Sequence, residues 1–228
     1  MAFPKIDSSR VRTLSLDAFR KMDYYAVNNY HLPVELMMES VGLQLARLAA
    51  TVVQPGAKIL AGIGPGNNGG GGLVAARRLE AWGYKVHIQI PIPISHQMIK
   101  DQLSRTIAYG VEKVIESDYD LVLDCFFGFS QRLPLPDEVS ELIRVMNSMK
   151  AARISLDIPT GISENGGEVR FRADKVLTVA APKTILLNHI DEYELYIADV
   201  GIPTEVYLRN KIDFAALGFY RDQIVQVI

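Results

Sequence analysis

Two aspartates and one glycine-rich turn are where this sequence could do chemistry. Asp124 closes the apolar run Leu121-Val122-Leu123, and Asp157 closes Ile154-Ser155-Leu156. Turn-forming residues follow each of them, Phe127-Gly128-Phe129-Ser130 and Ile158-Pro159-Thr160-Gly161. A carboxylate at the rim of an apolar strand is partly desolvated, which disfavours its charged form and suits acid–base work. Such a residue can equally cap the turn behind it by accepting backbone N–H groups. The glycine-rich segment runs from Gly62-Ile63-Gly64 through Gly66-Asn67-Asn68-Gly69-Gly70-Gly71-Gly72 to Leu73. A strand, then glycines, then a helix start makes an anion site, because bare N–H groups and the positive helix end face the ligand. A flexible loop without a ligand is the plainer alternative. Asn68, Asp124 and Thr160 together could offer oxygen atoms to a hard cation.

Two familiar uses of such a turn do not fit. Gly64, Gly66 and Gly69 satisfy G-x-G-x-x-G, but a dinucleotide fold also wants an acidic residue at the end of the second strand, where this chain reads Gln89-Ile90-Pro91. A nucleotide-triphosphate loop wants Gly-Lys-Ser/Thr, whereas Leu73 follows Gly72. His31, His87, His96 and His189 are scattered without metal spacing and read as structural or surface residues. Cys125 reads as an inert small hydrophobe, Tyr24, Tyr25 and Tyr30 as packing residues, and Glu39 as a solvated helix charge.

Period and punctuation place these residues on elements. Helical spacing over Leu16 to Asn29 sets Leu16, Phe19, Met22 and Ala26 on one face and Asp17 and Asp23 on the polar side. A second helix is expected from Glu35 to Val53. Strands are expected at 58–64, 85–91, 120–124, 153–157, 175–180 and 194–200, with helices between them at 72–82, 97–109 and 137–149. That alternation predicts an α/β fold with a mainly parallel sheet covered on both faces, in one domain spanning 1–228. At 228 residues the chain can bury a sizeable core. A net charge of −2 gives no reason to expect nucleic acid or a membrane surface as partner. The single cysteine, the charged opening residues and the lack of any run of about 18 apolar residues make a cytoplasmic protein the expectation.

Five segments in order, Gly-Pro-Gly-Asn-Asn-Gly-Gly-x-Gly-Leu-Val-Ala-Ala-Arg (64–77), Asp-x-x-Phe-Gly-x-Ser (124–130), Asp-Ile-Pro-Thr-Gly (157–161), Ala-Pro-Lys (181–183) and Asp-Val-Gly-Ile-Pro (199–203), resemble the YjeF amino-terminal domain family of NAD(P)H-hydrate epimerases. Leu36-Met37-Met38-Glu39-Ser40-Val41-Gly42 also looks like that family's start. The resemblance implies a Rossmann-like three-layer α/β/α sandwich, commonly a homodimer. It implies an isomerase that interconverts the R and S forms of NADHX and NADPHX, nicotinamide nucleotides hydrated at C6 of the ring. By the same resemblance, Asn67, Asn68, Gly69, Gly70 and Gly71, with Gly128, Phe129, Ser130, Gln131, Arg132, Leu133 and Pro134, would hold the substrate. Asp157 would contact the reacting ring as the catalytic residue, and Asn68, Asp124 and Thr160 would ligate one potassium ion. The dehydratase domain that some bacterial relatives carry has no room in this length. Three positions depart from the family pattern: Gly71 replaces an Asp, Pro91-Ile92-Pro93-Ile94 lacks the usual basic residue, and Thr160 replaces Ser. Gly71 keeps open a second reading, a catalytically lapsed nucleotide-binding or scaffold module, which the intact Asn68, Asp124 and Asp157 oppose.

Overall fold

Apolar runs bounded by glycine or aspartate become the middle of a sheet. The computed structural model describes residues 3–163 and 169–228. Among these, eight strands form one sheet: β1 (Lys5–Ile6), β2 (Lys58–Ile63), β3 (Lys85–Gln89), β4 (Leu121–Cys125), β5 (Ala152–Leu156), β6 (Lys175–Val179), β7 (Glu194–Ala198) and β8 (Ile224–Val227). Their order is β1-β8-β7-β6-β5-β4-β2-β3, and every neighbouring pair is parallel except β7 with β8. β2 and β4 are buried along almost their whole length, as strands covered by helices on both faces must be. This is the α/β fold with a mainly parallel sheet that the alternation of elements anticipates, and the Rossmann-like sandwich that the resemblance implies.

The helices are α1 (Leu16–Tyr30), α2 (Val34–Ala49), α3 (Asn67–Ala81), α4 (Gln97–Ala108), α5 (Asp137–Ser148) and the short α6 (Thr184–Leu187), α7 (Thr204–Arg209) and α8 (Phe214–Leu217). Ser15 caps α1 by accepting the Ala18 N–H, and His31 ends it in the left-handed region at φ 52°. The segment before α1 is stitched to the chain after β6: the Leu14 N–H donates to the Pro182 carbonyl at 3.0 Å, and the Thr184 N–H donates to Leu14 at 2.9 Å.

Two expectations are corrected. α3 begins at Asn67 rather than Gly72, so Gly69 to Gly72 lie within the helix. Glycine is a poor helix former, but tertiary packing overrides propensity here, because α3 runs too close to its neighbours for side chains. A Cβ on Gly69 would sit 1.9 Å from the Gly64 carbonyl oxygen. The second correction is at the edges: β1, β8 and the three short helices have too few residues for their periodicity to register.

Candidate active site

The strand order reverses beside β2, whose chain continues to β3 on one side while β4 pairs on the other. In an open parallel sheet such a switch point opens a crevice at the carboxyl ends of the strands. Here it is a cavity of about 460 Å³, within the range of small-ligand sites of ~300–1,000 Å³. Pro65, Gly66, Asn67 and Asn68 form one wall, Phe127, Gly128, Phe129 and Ser130 another, and Leu156 and Asp157 the floor. α1 and α2 add Phe19, Asp23, Met38 and Val41. No side chain caps α3, so its first N–H groups and positive dipole end open toward this space.

Asp157 directly follows β5 and is 3% exposed. Its backbone is held in the left-handed region, φ 69°, which turns the carboxylate off the strand line. Both of its oxygens accept hydrogen bonds: Oδ2 from the Phe129 N–H at 2.8 Å, and Oδ1 from Lys183 Nζ at 2.6 Å. Lys183 is completely buried, and its ammonium also donates to Thr178 Oγ1 at 3.0 Å and to the Val179 carbonyl at 2.9 Å. The Phe19 ring lies over it at 3.6 Å, a cation–π contact. Burial pulls the Lys183 ammonium below its usual range, and the Asp157 carboxylate opposes that pull. This lysine belongs to the Ala-Pro-Lys segment, to which the sequence reading attaches no role. β6, pairing next to β5, returns it to Asp157 across 26 residues.

Asp124 is fully buried behind this cavity rather than on its wall. Its carboxylate accepts the Thr160 N–H at 2.8 Å, the Thr160 hydroxyl at 2.7 Å, the Ser155 hydroxyl at 2.9 Å and the Phe126 N–H at 3.3 Å. Burial pushes its pKa up to about 6 despite those four bonds. Asp124 is thus a turn cap for the chain after β5, the plainer role that a strand-end aspartate can take. Among the described residues, no cationic side chain pairs with it. Asn68 donates from Nδ2 to the Leu156 carbonyl at 3.3 Å, and its Oδ1 lies on the Gly128 side. A Cβ on Gly128 would lie 2.5 Å from Asp157 Oδ2 and 3.4 Å from Asn68 Oδ1, so only glycine leaves that space open. Thr160 touches the uncompensated buried carboxylate of Asp124, and with Asn68 these residues offer oxygens alone, a donor set that fits a hard cation.

The other anticipated residues divide. Gly69, Gly70 and Gly71 lie in the first turns of α3, buried and off the cavity wall. Gln131 ties two turns together, accepting the Gly161 N–H at 2.8 Å and donating to the Ile162 carbonyl at 3.2 Å. Arg132, Leu133 and Pro134 continue that loop outside the cavity lining, with a cis Leu133–Pro134 bond. Cys125 is buried, and burial pushes its thiol up, as an inert packing residue requires. His87 is buried with Nδ1 2.9 Å from the Tyr119 hydroxyl. Glu39 is not a solvated charge: it pairs with Arg77 at 2.5 Å and Arg78 at 3.0 Å, clamping α2 to α3. Asp23, assigned to the polar face of α1, faces the cavity. Helical spacing separates polar from apolar positions but cannot distinguish solvent from a polar cleft.

The similarities to known proteins agree with this geometry. Residues 34–185 match the family model described as YjeF-related protein N-terminus. The chain is 31% identical to the NAD(P)H-hydrate epimerase of Dehalogenimonas lykanthroporepellens over 221 residues, covering 92% of this chain and 90% of that one. It is 30% identical to the NAD(P)H-hydrate epimerase of Anopheles darlingi over 174 residues, 71% and 76% of the two chains. The crystal structure of yeast ynu0 superposes with a TM-score of 0.81 at 21% identity, covering 95% of this chain and all of that one, and shows the same fold. With the matched segment exceeding half of the chain, and relatives at this identity aligned over most of it, the chain belongs to the family of YjeF-related proteins defined by their N-terminal domain.

Proposed function

We propose that this chain is an NAD(P)H-hydrate epimerase, an isomerase that interconverts the R and S forms of hydrated NADH and NADPH. One observation carries the reading beyond the relatives' names: the open N-terminus of α3 and the Asp157 carboxylate border the same cavity. The first suits the phosphates of a nucleotide, and the second suits proton transfer at a ring held beside them. The hydrated C6 is a carbinolamine carbon. Loss of its hydroxyl as water leaves a cationic ring, and water can return to either face. Asp157, with each oxygen already accepting from a fixed donor, is built to take a proton from that incoming water. An epimerisation assay on the purified protein tests the assignment, with R and S forms separated by chromatography and rates compared with an enzyme-free blank. Conversion no faster than the blank, with potassium present, overturns it.

Asn68, Asp124 and Thr160 would hold a potassium ion, which would supply positive charge near the site and neutralise Asp124. A specific ion that binds only the folded state stabilises it by mass action, by about 2.7 kcal/mol at a hundredfold excess over its Kd. Potassium is therefore expected to raise the melting temperature more than sodium at equal ionic strength. Asp124→Asn, which keeps the size of the side chain while removing its charge, should erase that difference. Coincident melting curves in the two salts for the unaltered protein would remove the ion from this reading. The homodimer and the cytoplasmic setting belong to the same proposal, the first resting on the resemblance and the second on the single cysteine. Among the described residues, no helix is long and apolar enough to cross a membrane. Sedimentation of the purified chain tests the dimer.

A further inference from the structure

Two carboxylates border the cavity, and their surroundings are opposite. Asp157 accepts at both oxygens, from Lys183 Nζ at 2.6 Å and the Phe129 N–H at 2.8 Å. That arrangement serves an acceptor of protons. Asp23 comes from α1, on a different wall, and among the described residues its carboxylate makes no hydrogen bond and no ion pair. It stands one helical turn after Phe19, whose ring covers Lys183 at 3.6 Å and meets Phe129 edge-on at 5.0 Å. The paired hydrogen bonds of Leu14 with Pro182 and Thr184 fix the start of α1 against the segment that carries Lys183. The position of Asp23 over the site is therefore set by the fold.

Epimerisation at one carbon breaks a C–O bond on one face of the ring and makes another on the opposite face. A single carboxylate fixed at the sheet edge is poorly placed to serve both. We propose that Asp23 is the second catalytic carboxylate of this site, the proton donor on one face of the hydrated ring while Asp157 is the acceptor on the other; the proposal rests on the epimerase reading. The C6–O bond breaks with its electron pair going to oxygen, the Asp23 proton joins that oxygen, and water leaves. The ring then carries a positive charge shared with its nitrogen. A second water adds from the opposite face, its lone pair forms the new C6–O bond, and its proton goes to Asp157. Asp157 then releases that proton to solvent and Asp23 takes one back before the next turnover, and the other epimer is processed by the same transfers in reverse. Partial burial favours the protonated acid at Asp23, the positive charge of Lys183 opposes this and the negative charge of Asp157 assists it.

Asp23→Asn in the full-length protein tests this. Turnover should fall by about 10²–10⁴-fold, the usual contribution of a general acid. Affinity for NADP⁺ as a binding probe, measured by calorimetry, should stay at the unaltered value, and the melting temperature should hardly change, because the carboxylate has no hydrogen bond to lose and Lys183 keeps Asp157 as its ion-pair partner. Asp23→Ala gives a second route: formate should restore part of its turnover by entering the vacated space. Unaltered protein that epimerises while Asp23→Asn epimerises equally fast overturns the proposal alone. A rate loss matched by lost NADP⁺ affinity, with no formate rescue of Asp23→Ala, also overturns it by making Asp23 a binding residue. Unaltered protein that fails to exceed the blank overturns the epimerase reading, and this proposal with it.

Discussion

Asp157→Asn will lose both turnover and stability, and the two losses will answer to different second changes. The turnover loss should be about 10²–10⁴-fold, because an amide cannot take the proton from incoming water. The backbone itself should accept the change, since asparagine is among the residues that best tolerate the left-handed φ of 69° found here. The stability loss comes from Lys183, fully buried and deprived of its counter-charge. Removing one partner of a buried ion pair typically costs about 3–5 kcal/mol. The new amide must also present one oxygen to Lys183 and turn its NH₂ toward the Phe129 N–H, setting donor against donor. The pH dependence has a definite sign. Burial lowers the Lys183 pKa in the fold, so the unfolded chain binds its proton more tightly and stability rises with pH between the folded and the unfolded lysine pKa. Losing Asp157 removes a charge that opposes this pull, so the Lys183 pKa falls further in Asp157→Asn and the deficit should shrink in thermal melts as pH rises toward the unfolded lysine pKa. Asp157→Asn with Lys183→Met should recover much of the stability, because replacing a buried pair by neutral groups is often neutral or better. It should recover none of the turnover. A single variant as stable as the unaltered protein at pH 6 would show that Lys183 is uncharged there and the ion pair unformed.

The site was legible in the sequence where chain neighbours make it, and illegible where the fold does. Asp157 and the glycine turn could be located because a strand, a turn and a helix start in immediate succession imply a sheet edge. Lys183 could not be given a role, because no periodic signal connects a lysine after β6 with an aspartate after β5; only the adjacency of those strands does. Phe19 and Asp23 illustrate the limit of amphipathic patterns. Phe19 reads as core and is core, but the face it packs against is the buried Lys183 that pairs with Asp157. Asp23 reads as polar surface because a cleft and bulk water demand the same residue type. The start of α3 was misplaced because local propensity and tertiary packing disagree, and the glycines register only the first.

That disagreement makes a graded test on the glycines of α3 and the turn before it. Propensity alone says that alanine for glycine inside a helix gains up to about 1 kcal/mol. Packing says the reverse at Gly69, where the added Cβ would stand 1.9 Å from the Gly64 carbonyl oxygen, a backbone atom that cannot swing aside. Overpacking typically costs about 1–3 kcal/mol, and a backbone clash belongs at or above the top of that range. Packing therefore wins, and Gly69→Ala should be severely destabilised or fail to fold. Gly66→Ala should melt within about 0.5 kcal/mol of the unaltered protein, because nothing lies within 4 Å of its Cβ position. Gly71 falls between: its Cβ would meet Val41 Cγ1 at 2.9 Å and Leu156 Cδ2 at 3.2 Å, side chains that can shift. Gly71→Ala should be tolerated, whereas Gly71→Asp brings a carboxylate to a fully buried point between two apolar groups. A buried polar group without a partner costs about 1–3 kcal/mol by mutational measures. Gly71→Asp should thus melt below Gly71→Ala and above Gly69→Ala, and it should not increase epimerisation, because the surroundings of position 71 are packed for its absence. A gain in turnover from Gly71→Asp would show instead that the side chain passes between Val41 and Leu156 into the cavity both of them border, and that a carboxylate there assists the reaction.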